Sequence, residues 1–363
     1  MIIIAYIVLA FTIIQLSVAL LNLLPGTSLP KRGEQSGELV SVLIPARNEE
    51  KNIGKLLKDL RDQEYNNIEI IVFDDLSDDR TAEIVNESSA SDKRIRLIRS
   101  EGLPEGWLGK NYACHTLAKH ASGRFMLFLD ADVSIGNNTI GKAVSFAEKH
   151  RLSLISIFPK QEIVSTGEKI TVPNMNYILL SLLPLIFVRI SGFQSLSAAN
   201  GQFMFFRSED YFREEPHLLT KNDKVEDISI SRLMKKKNMR IACLTGDEAI
   251  SCRMYTGLSG ALEGFSKNVI AFFGNSFFLA TMFWLITTFG FLAVIFSLPP
   301  VLIGAYFGCY LLTRIFISIS SRQNIILNLL FIVPLQATMG LFIYRAFINK
   351  RFRKFQWKGR RIE

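Results

Sequence analysis

The sequence predicts an α/β domain with a mostly parallel sheet, flanked by transmembrane segments at both ends of the chain. Between residues 38 and 135, short β-branched runs alternate with polar helical stretches, which is typical of a parallel sheet covered by helices. Nearly uncharged apolar runs, long enough to cross a bilayer, lie at residues 2–24 and between about 273 and 347. The hydrophobic content of 49% and the positive mean hydropathy are unusual for a soluble protein.

The run at residues 2–24 predicts an uncleaved anchor, within a segment covering residues 1–25. It lacks a positively charged leading region and a small-residue cleavage site, and Lys31 and Arg32 follow it. Because positive residues are enriched on the cytoplasmic side of membrane proteins, the N-terminus is expected outside and the polar domain at 38–272 in the cytoplasm. We therefore expect an integral protein of the cell inner membrane.

The C-terminal region, residues 273–348, is predicted to cross the membrane through two or three segments. The candidates are 276–297, 299–320 and 325–346. Since the basic tail at 349–363 should also be cytoplasmic, the number of crossings should be even, so one candidate is expected to be re-entrant, interfacial or fused to its neighbour. The third candidate is the weakest because Pro334 and Gln336 interrupt it.

The net charge of +9 favours anionic membrane lipids as partners, because much of it lies in the tail and beside the apolar segments. The basic residues do not alternate with aromatic ones on a polar domain, so no nucleic-acid partner is predicted. The four cysteines share no metal-type C-x-x-C spacing and should stay reduced in a cytoplasmic domain.

Within the domain, the hydrophobic pattern predicts four strands and the helices between them. The predicted strands are 40–44, 68–73, 95–98 and 125–129, and the predicted helices are 49–63, 78–89 and 111–120. A further strand at 203–206 follows an Asn200-Gly201 turn, and a helical pattern at 228–234 follows Glu226 and Asp227. Ser77 and Asp78 are expected to start the second helix, which leaves Asp75 for function.

Two acidic clusters close neighbouring strands of this predicted sheet. Asp130 and Asp132 form an Asp-x-Asp triplet after strand 125–129, and Asp74-Asp75 close strand 68–73. Ligands of open α/β sheets bind at the carboxyl ends of the strands, where Mg²⁺ or Mn²⁺ can bridge carboxylates to a sugar-nucleotide diphosphate. The triplet alone would also suit a turn or a helix cap.

Three further positions are candidates for contact with a substrate. Arg47 stands at the exit of the first strand, where a guanidinium can meet a nucleotide, and Lys110 follows a glycine before a helix, where an ammonium can reach a phosphate. By itself Lys110 would be read as a surface lysine. Glu226-Asp227 either caps the helix or supplies a general base for an acceptor hydroxyl.

Four motifs in this order along the chain resemble those of the inverting, family-two type glycosyltransferases with the GT-A fold, which include cellulose synthase, dolichol-phosphate mannose synthase and ceramide glucosyltransferase. The motifs are Ile44-Pro45-Ala46-Arg47-Asn48-Glu49, Asp74-Asp75-x-Ser77-x-Asp79-x-Thr81, Asp130-Ala131-Asp132 and Glu226-Asp227. The resemblance implies a nucleotide site that includes Pro45, Ala46, Arg47, Glu49 and Asp75. It also implies that Asp130 and Asp132 hold the diphosphate and a divalent metal, and that Asp227 is the general base.

Two segments are similar to those of the carotenoid and hydroxychlorobactene glycosyltransferases. They are Gly106-Trp107-Leu108-Gly109-Lys110 and Gly264-Phe265-Ser266-Lys267-Asn268. The Gln-x-x-Arg-Trp motif of the wider family is absent, and Arg253-Met254-Tyr255 stands in its place, which argues against a processive polysaccharide synthase. Lys110, Arg253 and Lys267 are therefore expected to contact the diphosphate or the acceptor.

The resemblance predicts transfer of a sugar from a UDP-sugar to a lipid hydroxyl, such as that of a carotenoid or glycolipid precursor. The apolar segment 177–190 is too short to span a bilayer, so it is either a core helix or an interfacial one that would bring the membrane beside the active site. Two alternatives stay open: a polyprenyl-phosphate acceptor, and a membrane scaffold that has lost turnover.

Overall fold

The computed structural model describes residues 1–33, 37–352, 356–357 and 360–361. The predicted basic tail at 349–363 therefore lies largely outside the described residues. The strands are β1 (Val40–Ala46), β2 (Ile68–Asp74), β3 (Ile95–Arg99), β4 (Phe125–Leu129), β5 (Val133–Ile135), β6 (Leu154–Phe158), β7 (Lys160–Gln161), β8 (Phe203–Arg207), β9 (Ile241–Thr245), β10 (Ile250–Cys252), β11 (Gln356–Trp357) and β12 (Arg360–Arg361).

The helices cover the sheet and form the segments before and after the domain. They are α1 (Ile2–Leu21), α2 (Ile53–Arg61), α3 (Thr81–Ser91), α4 (Gly109–Lys119), α5 (Thr139–His150), α6 (Thr166–Lys169), α7 (Pro173–Leu182), α8 (Leu185–Ile190), α9 (Ser208–Glu214), α10 (Pro216–Leu219), α11 (Glu226–Lys236), α12 (Gly257–Asn268), α13 (Phe277–Ser297), α14 (Pro300–Ser320), α15 (Ile325–Leu330) and α16 (Ile332–Phe352).

The central sheet has the strand order β3-β2-β1-β4-β8-β6-β9, in which only β8 runs against the others. Strands β1, β2 and β4 are almost wholly buried, which explains why their sequences are continuous apolar runs rather than alternating ones. The prediction of a mostly parallel sheet is confirmed. Its carboxyl edge carries Asp75, Asp130 and Asp132, the positions that the motifs single out.

The second helix of the domain begins later than predicted, at Thr81 instead of Asp78. Asp79 is the residue that prepares this start: one carboxylate oxygen accepts from Thr81 N at 3.0 Å, and the other accepts from Glu50 N at 3.0 Å. The loops after β1 and β2 are thus bonded to each other. The prediction that Ser77 and Asp78 start the helix was wrong, because Asp79 is aimed at the backbone of both loops.

The segment predicted at 177–190 is broken into α7 and α8 at Pro184, and α7 is buried against α1, α14 and α16. Asn22, at the end of α1, forms hydrogen bonds with the backbone groups around this break. Its Nδ2 donates to Leu180 O and Leu183 O, both at 3.0 Å, and its Oδ1 accepts from Leu185 N at 2.7 Å. Of the two alternatives for this segment, the core helix therefore applies to α7. The domain core continues into the terminal helices.

Within the described residues, three helices are long and apolar enough to cross a membrane: α1, α13 and α14. The third C-terminal candidate, 325–346, is not one helix, since it divides into α15 and α16 at Phe331. Ser320 Oγ at the end of α14 donates to Asn22 O at 3.3 Å, so α14 and α1 both end beside the domain. Three such crossings would leave residues 321–352 on the side of the domain.

Candidate active site

A cavity of about 430 Å³ opens at the carboxyl edge of the central sheet. The predicted site residues that line it come from six separate segments of the chain. Among the predicted site residues, those lining it are Pro45, Ala46, Arg47, Glu49, Asp75, Lys110, Asp130, Asp132, Asp227 and Lys267. Arg253 is not among the lining residues, although its neighbours Met254 and Tyr255 are.

One end of the cavity is built by the loops after β1 and β2. The Arg47 guanidinium donates to the main-chain oxygen of Asp75 and to Leu76 O, the latter at 3.2 Å, and lies 4.0 Å from the Asp75 carboxylate. Asp75 N donates to Ala46 O at 2.9 Å. Leu76 adopts a left-handed conformation, with φ of 54°, at this turn. These contacts fix the two loops that the resemblance assigns to the nucleotide.

Asp130 and Asp132 stand at the centre of the cavity, directly after β4. The Asp130 carboxylate contacts Lys110 Nζ at 2.8 and 2.9 Å. Asp132 Oδ1 is buried and has no hydrogen-bond partner among the residues that the structure describes. Burial, followed by the charges of Asp130 and Glu49, raises the pKa of Asp132 to about 7.

This pair of carboxylates fits a divalent cation that is completed by a substrate. No group of three or more His, Cys, Asp or Glu side chains that could hold a metal occurs in the described part of the chain. Mg²⁺ is commonly held by one or two carboxylates together with phosphate oxygens and water, so a full protein cage is not required. The unpartnered oxygen of Asp132 is the ligand atom that such an ion would use.

Lys110, in the first turn of α4, lies between the metal pair and the predicted base. Its Nζ is 3.3 Å from Gly201 O and 3.5 Å from Glu226 Oε1, in addition to its contacts with Asp130. Burial alone would lower the pKa of Lys110, but Asp130 and Glu226 raise it well above its ordinary value. A permanent positive charge therefore faces the middle of the cavity.

Asp227 and Glu226 form the first turn of α11, opposite Asp130. Asp227 Oδ2 accepts from Gly201 N at 2.9 Å, and Oδ1 accepts from Ile228 N at 2.8 Å. The carboxylate thus touches its own helix start and also the turn across the cavity. Burial raises the pKa of Asp227, and it raises that of Glu226 to about 7, which increases their basicity.

Sequence reasoning missed the residue that positions the Asn200-Gly201 turn. Ser156, at the middle of β6, accepts from Asn200 N at 2.7 Å and donates to Asn200 O at 3.1 Å. A Cβ on Gly201 would lie 3.0 Å from Lys110 Nζ and 3.2 Å from Glu226 Oε1. A buried serine inside an apolar strand, 154–158, is the signal in the sequence that points to this contact.

Arg253 and Lys267 have different surroundings. Arg253 donates to Glu168 Oε1 at 2.9 Å, and the same oxygen accepts from Gly257 N at 2.9 Å, so this pair fixes the start of α12. Lys267 lines the cavity from the end of α12 and pairs with Glu263 at 3.1 Å. The role predicted for Arg253 in binding diphosphate or acceptor remains a prediction, while the structure gives it a contact that supports the cavity wall.

Comparison with known proteins identifies the domain. Residues 41–212 match the family described as Glycosyl transferase family 2. The chain carries a glycosyltransferase family 2 domain. The matched range contains the loops of the first two strands, Lys110, Asp130 and Asp132, whereas Asp227 and Lys267 lie beyond it.

The relatives of this chain include two proteins named 4,4'-diaponeurosporenoate glycosyltransferase. The one from Staphylococcus haemolyticus is 30% identical over 248 residues, which cover 66% of this chain and 63% of the relative. The match thus spans less than two thirds of that protein's length. The one from Staphylococcus aureus strain MRSA252 is 25% identical over 347 residues, covering 88% of this chain and 87% of the relative.

The solved structure of a mannosyltransferase from Pyrobaculum calidifontis, in complex with GDP-Man and Mn²⁺, has the same fold as this chain. The TM-score is 0.55 at 15% sequence identity, and the alignment covers 96% of this chain and 99% of that one. The predicted GT-A fold is confirmed. The likeness extends over the terminal helices as well as the sheet.

The far wall of the cavity is apolar, and sequence reasoning did not find it. It is formed by Phe158, Met175, Met254, Tyr255, Phe265 and Phe272. The Tyr255 ring passes directly over Gly264, where an added Cβ would lie 2.1 Å from the ring. Phe265 packs on Phe342 of α16, with ring centroids 5.2 Å apart. The cavity therefore leads from the polar edge of the sheet to the terminal helices.

Proposed function

We propose that this chain is a membrane-bound inverting glycosyltransferase that moves a sugar from a nucleotide-diphosphate donor to a lipid acceptor. One observation carries the proposal: Asp130, Asp132 and Asp227 face a single cavity, with Lys110 between them, and the opposite wall is apolar and packs on the terminal helices. A charged donor and an apolar acceptor would each find the surface that their chemistry requires.

The donor would lie with its nucleotide against Arg47, Glu49 and Asp75 and its diphosphate toward Lys110. UDP is the nucleotide expected from the resemblance, whereas the P. calidifontis mannosyltransferase is bound to GDP-Man. Asp130 and Asp132 would hold Mg²⁺ or Mn²⁺. When bound, the ion would supply positive charge that stabilises the leaving diphosphate.

Transfer would proceed by a single displacement. The acceptor oxygen forms a bond to the anomeric carbon, the bond from that carbon to the diphosphate breaks, and Asp227 takes the proton of the acceptor hydroxyl. Gly201 N and Ile228 N hold the Asp227 carboxylate in place, and burial makes it a stronger base. Lys110 stabilises the charge that develops on the diphosphate. Attack from the face opposite the leaving group inverts the configuration.

A carboxylate acceptor is a second candidate, because both relatives are named for 4,4'-diaponeurosporenoate, which is the name of a carboxylate. A carboxylic acid is already ionised at neutral pH, so no proton has to be removed as the bond forms. The product would then be a sugar ester, which mild alkali cleaves, instead of an alkali-stable glycoside. Asp227→Asn should reduce ester formation much less than glycoside formation.

The proposed placement has α1, α13 and α14 crossing the inner membrane, the domain at 38–272 in the cytoplasm and the N-terminus outside. Support comes from the three apolar helices and from the contact between Ser320 and Asn22, which brings the ends of α14 and α1 together. Anionic lipids would surround the helices. A cysteine introduced at Lys55, on the exposed face of α2, should react with an impermeant maleimide only in inverted membrane vesicles.

Transfer of radiolabel from a panel of nucleotide sugars to extracted membrane lipids tests the function. Metal-dependent label in an organic-soluble product is expected, and Asp132→Ala should abolish it. Asp227→Asn should strongly reduce it if the acceptor is a hydroxyl. Asp78→Asn, a change in an exposed carboxylate near the same edge of the sheet, should leave transfer unchanged. Equal label in all variants, or none with any donor, would contradict the proposal and favour the scaffold alternative.

A further inference from the structure

A second cavity, of about 330 Å³, lies where the loop after α14 meets the domain. The domain contributes residues 160–163, Lys169 and Pro173, and the terminal helices contribute residues 322–324, Leu327 and Asn328. None of these residues lines the candidate active site. The cavity is therefore separate from the proposed chemistry.

The charged side chains that line this second cavity are mainly positive. Lys160, Lys169 and Arg322 face it, against the single carboxylate of Glu162, which accepts from Ser251 Oγ at 2.8 Å. Lys160 is paired with Glu248. Within the described residues neither Lys169 nor Arg322 forms an ion pair, so two positive charges are available to a ligand.

A polar donor at the same cavity has no acceptor. Gln323 Nε2 is buried and has no hydrogen-bond partner in the described part of the chain, while Oε1 of the same side chain accepts from Asn328 Nδ2 at 3.0 Å. Asn328 Nδ2 also donates to Ser318 Oγ at 2.9 Å, which fixes this arrangement. A buried donor without an acceptor is costly, and an anionic oxygen in the cavity would satisfy it.

The position of the cavity favours a lipid as the source of that anion. Arg322 lies two residues after the end of α14, near the point where α14 meets the end of α1. Beside the cavity, Ile326 and Leu330 of α15 are 69% and 71% exposed, and Val164 is 61% exposed. Apolar side chains next to a cationic cavity at a membrane surface match the two parts of a phospholipid.

We propose that the cavity lined by Lys169, Arg322 and Gln323 binds the phosphate headgroup of an anionic phospholipid, whose acyl chains lie along Ile326 and Leu330. This inference rests on the membrane placement given above and not on the transfer reaction. The phosphate oxygens accept from the two cations and from Gln323 Nε2.

Binding of short-chain phosphatidylglycerol to the purified full chain, measured by calorimetry in an uncharged detergent, tests this site. Phosphatidylcholine of the same chain length and inorganic phosphate serve as comparison ligands. Replacing both Lys169 and Arg322 by alanine should weaken phosphatidylglycerol binding roughly 30-fold, since each basic side chain near an anionic headgroup contributes about fivefold. Lys55→Ala, which removes an exposed lysine elsewhere on the domain, should leave binding unchanged.

Gln323→Glu is the sharper variant, because it keeps the oxygen that accepts from Asn328 and replaces the unpartnered donor by a negative oxygen. It should abolish phosphatidylglycerol binding while the melting temperature stays close to that of the wild type. Equal binding of phosphatidylcholine, or equal loss in Lys55→Ala, would overturn the proposal. Inorganic phosphate binding as tightly as the lipid would overturn the lipid source and indicate a soluble phosphate ligand.

Sugar transfer measured in parallel separates this site from the proposed function. If phosphatidylglycerol binds as expected while no donor is used, the inference stands and the proposed transferase activity does not. If transfer occurs but no anion binds, the lipid site is wrong and the function is unaffected.

Discussion

Replacing Glu168 by glutamine should destabilise the protein and loosen the wall of the active site. The Glu168 side chain is completely buried, and its two oxygens accept from Arg253, Gly257 N, Val164 N and both the N–H and hydroxyl of Ser165. A glutamine would replace one of the two accepting oxygens by an NH₂ group, which would then face hydrogen-bond donors instead of accepting from them. The start of α12, which carries the apolar wall, would lose its attachment.

The size of the effect follows from the pKa of Glu168, which burial alone would raise but which Arg253 and the backbone donors lower from 4.5 to about 2. This fall corresponds to about 3 kcal/mol of stability. Because the pKa is lower in the folded state, the contribution is fully present above pH 4.5 and is lost as the pH falls toward 2. We expect the free-energy difference between wild type and variant to narrow to about 2 kcal/mol at pH 3.5.

Thermal unfolding of the full chain in detergent at pH 7, 5 and 3.5 measures this difference. The variant should melt about 5 to 10 °C below the wild type at pH 7, with a smaller gap at pH 3.5. Glu83→Gln is the matched control, since this carboxylate also pairs with an arginine but is exposed, and its melting temperature should not change. Equal melting of Glu168→Gln and wild type at pH 7, or a gap independent of pH, would contradict the stabilising role assigned to the Glu168 carboxylate.

Three further results are expected. Gly201→Ala should lower sugar transfer roughly tenfold to hundredfold with little change in melting temperature, because the new Cβ displaces the flexible end of Lys110, and normal transfer would contradict this. Asn22→Ala should lower the free energy of unfolding by about 3 kcal/mol, because three buried backbone groups lose their partner. An unchanged melting temperature would show that these hydrogen bonds do not stabilise the fold. Mn²⁺ binding followed by paramagnetic resonance should weaken about tenfold per pH unit below 7, because the ion must displace the proton of Asp132, and a flat profile would contradict the raised pKa of this carboxyl.

The sequence predicts the central strands well, because β1, β2 and β4 are buried on both faces and therefore consist of short continuous apolar runs. It predicts the start of α3 less well, since that start depends on Asp79 reaching Glu50 in another loop. Local propensity contains no information about such a contact. The same limit applies to the break at Pro184, whose hydrogen bonds come from Asn22.

The candidate site also has a part that the sequence predicts and a part that it does not. Carboxylates at strand ends, such as Asp130 and Asp132, can be predicted to meet in a site because a parallel sheet brings strand ends to one edge. The apolar wall could not be predicted from the sequence. The position of the Tyr255 ring depends on the absence of a side chain at Gly264 and on a helix held by Glu168, which is far away in sequence. Arg253 was predicted to contact the diphosphate or the acceptor from the resemblance of its motif, and its contact with Glu168 could not be identified from spacing.

The attachment of Asn22 to the break between α7 and α8 has a consequence for acceptor choice. If α1 crosses the membrane as proposed, the hydrogen bonds of Asn22 to the domain core would hold the cavity at a constant height above the bilayer. An acceptor must then extend its reactive group that far while its apolar body stays in the lipid. Molecular length, in addition to the chemistry of the reactive end, would decide which lipids are modified.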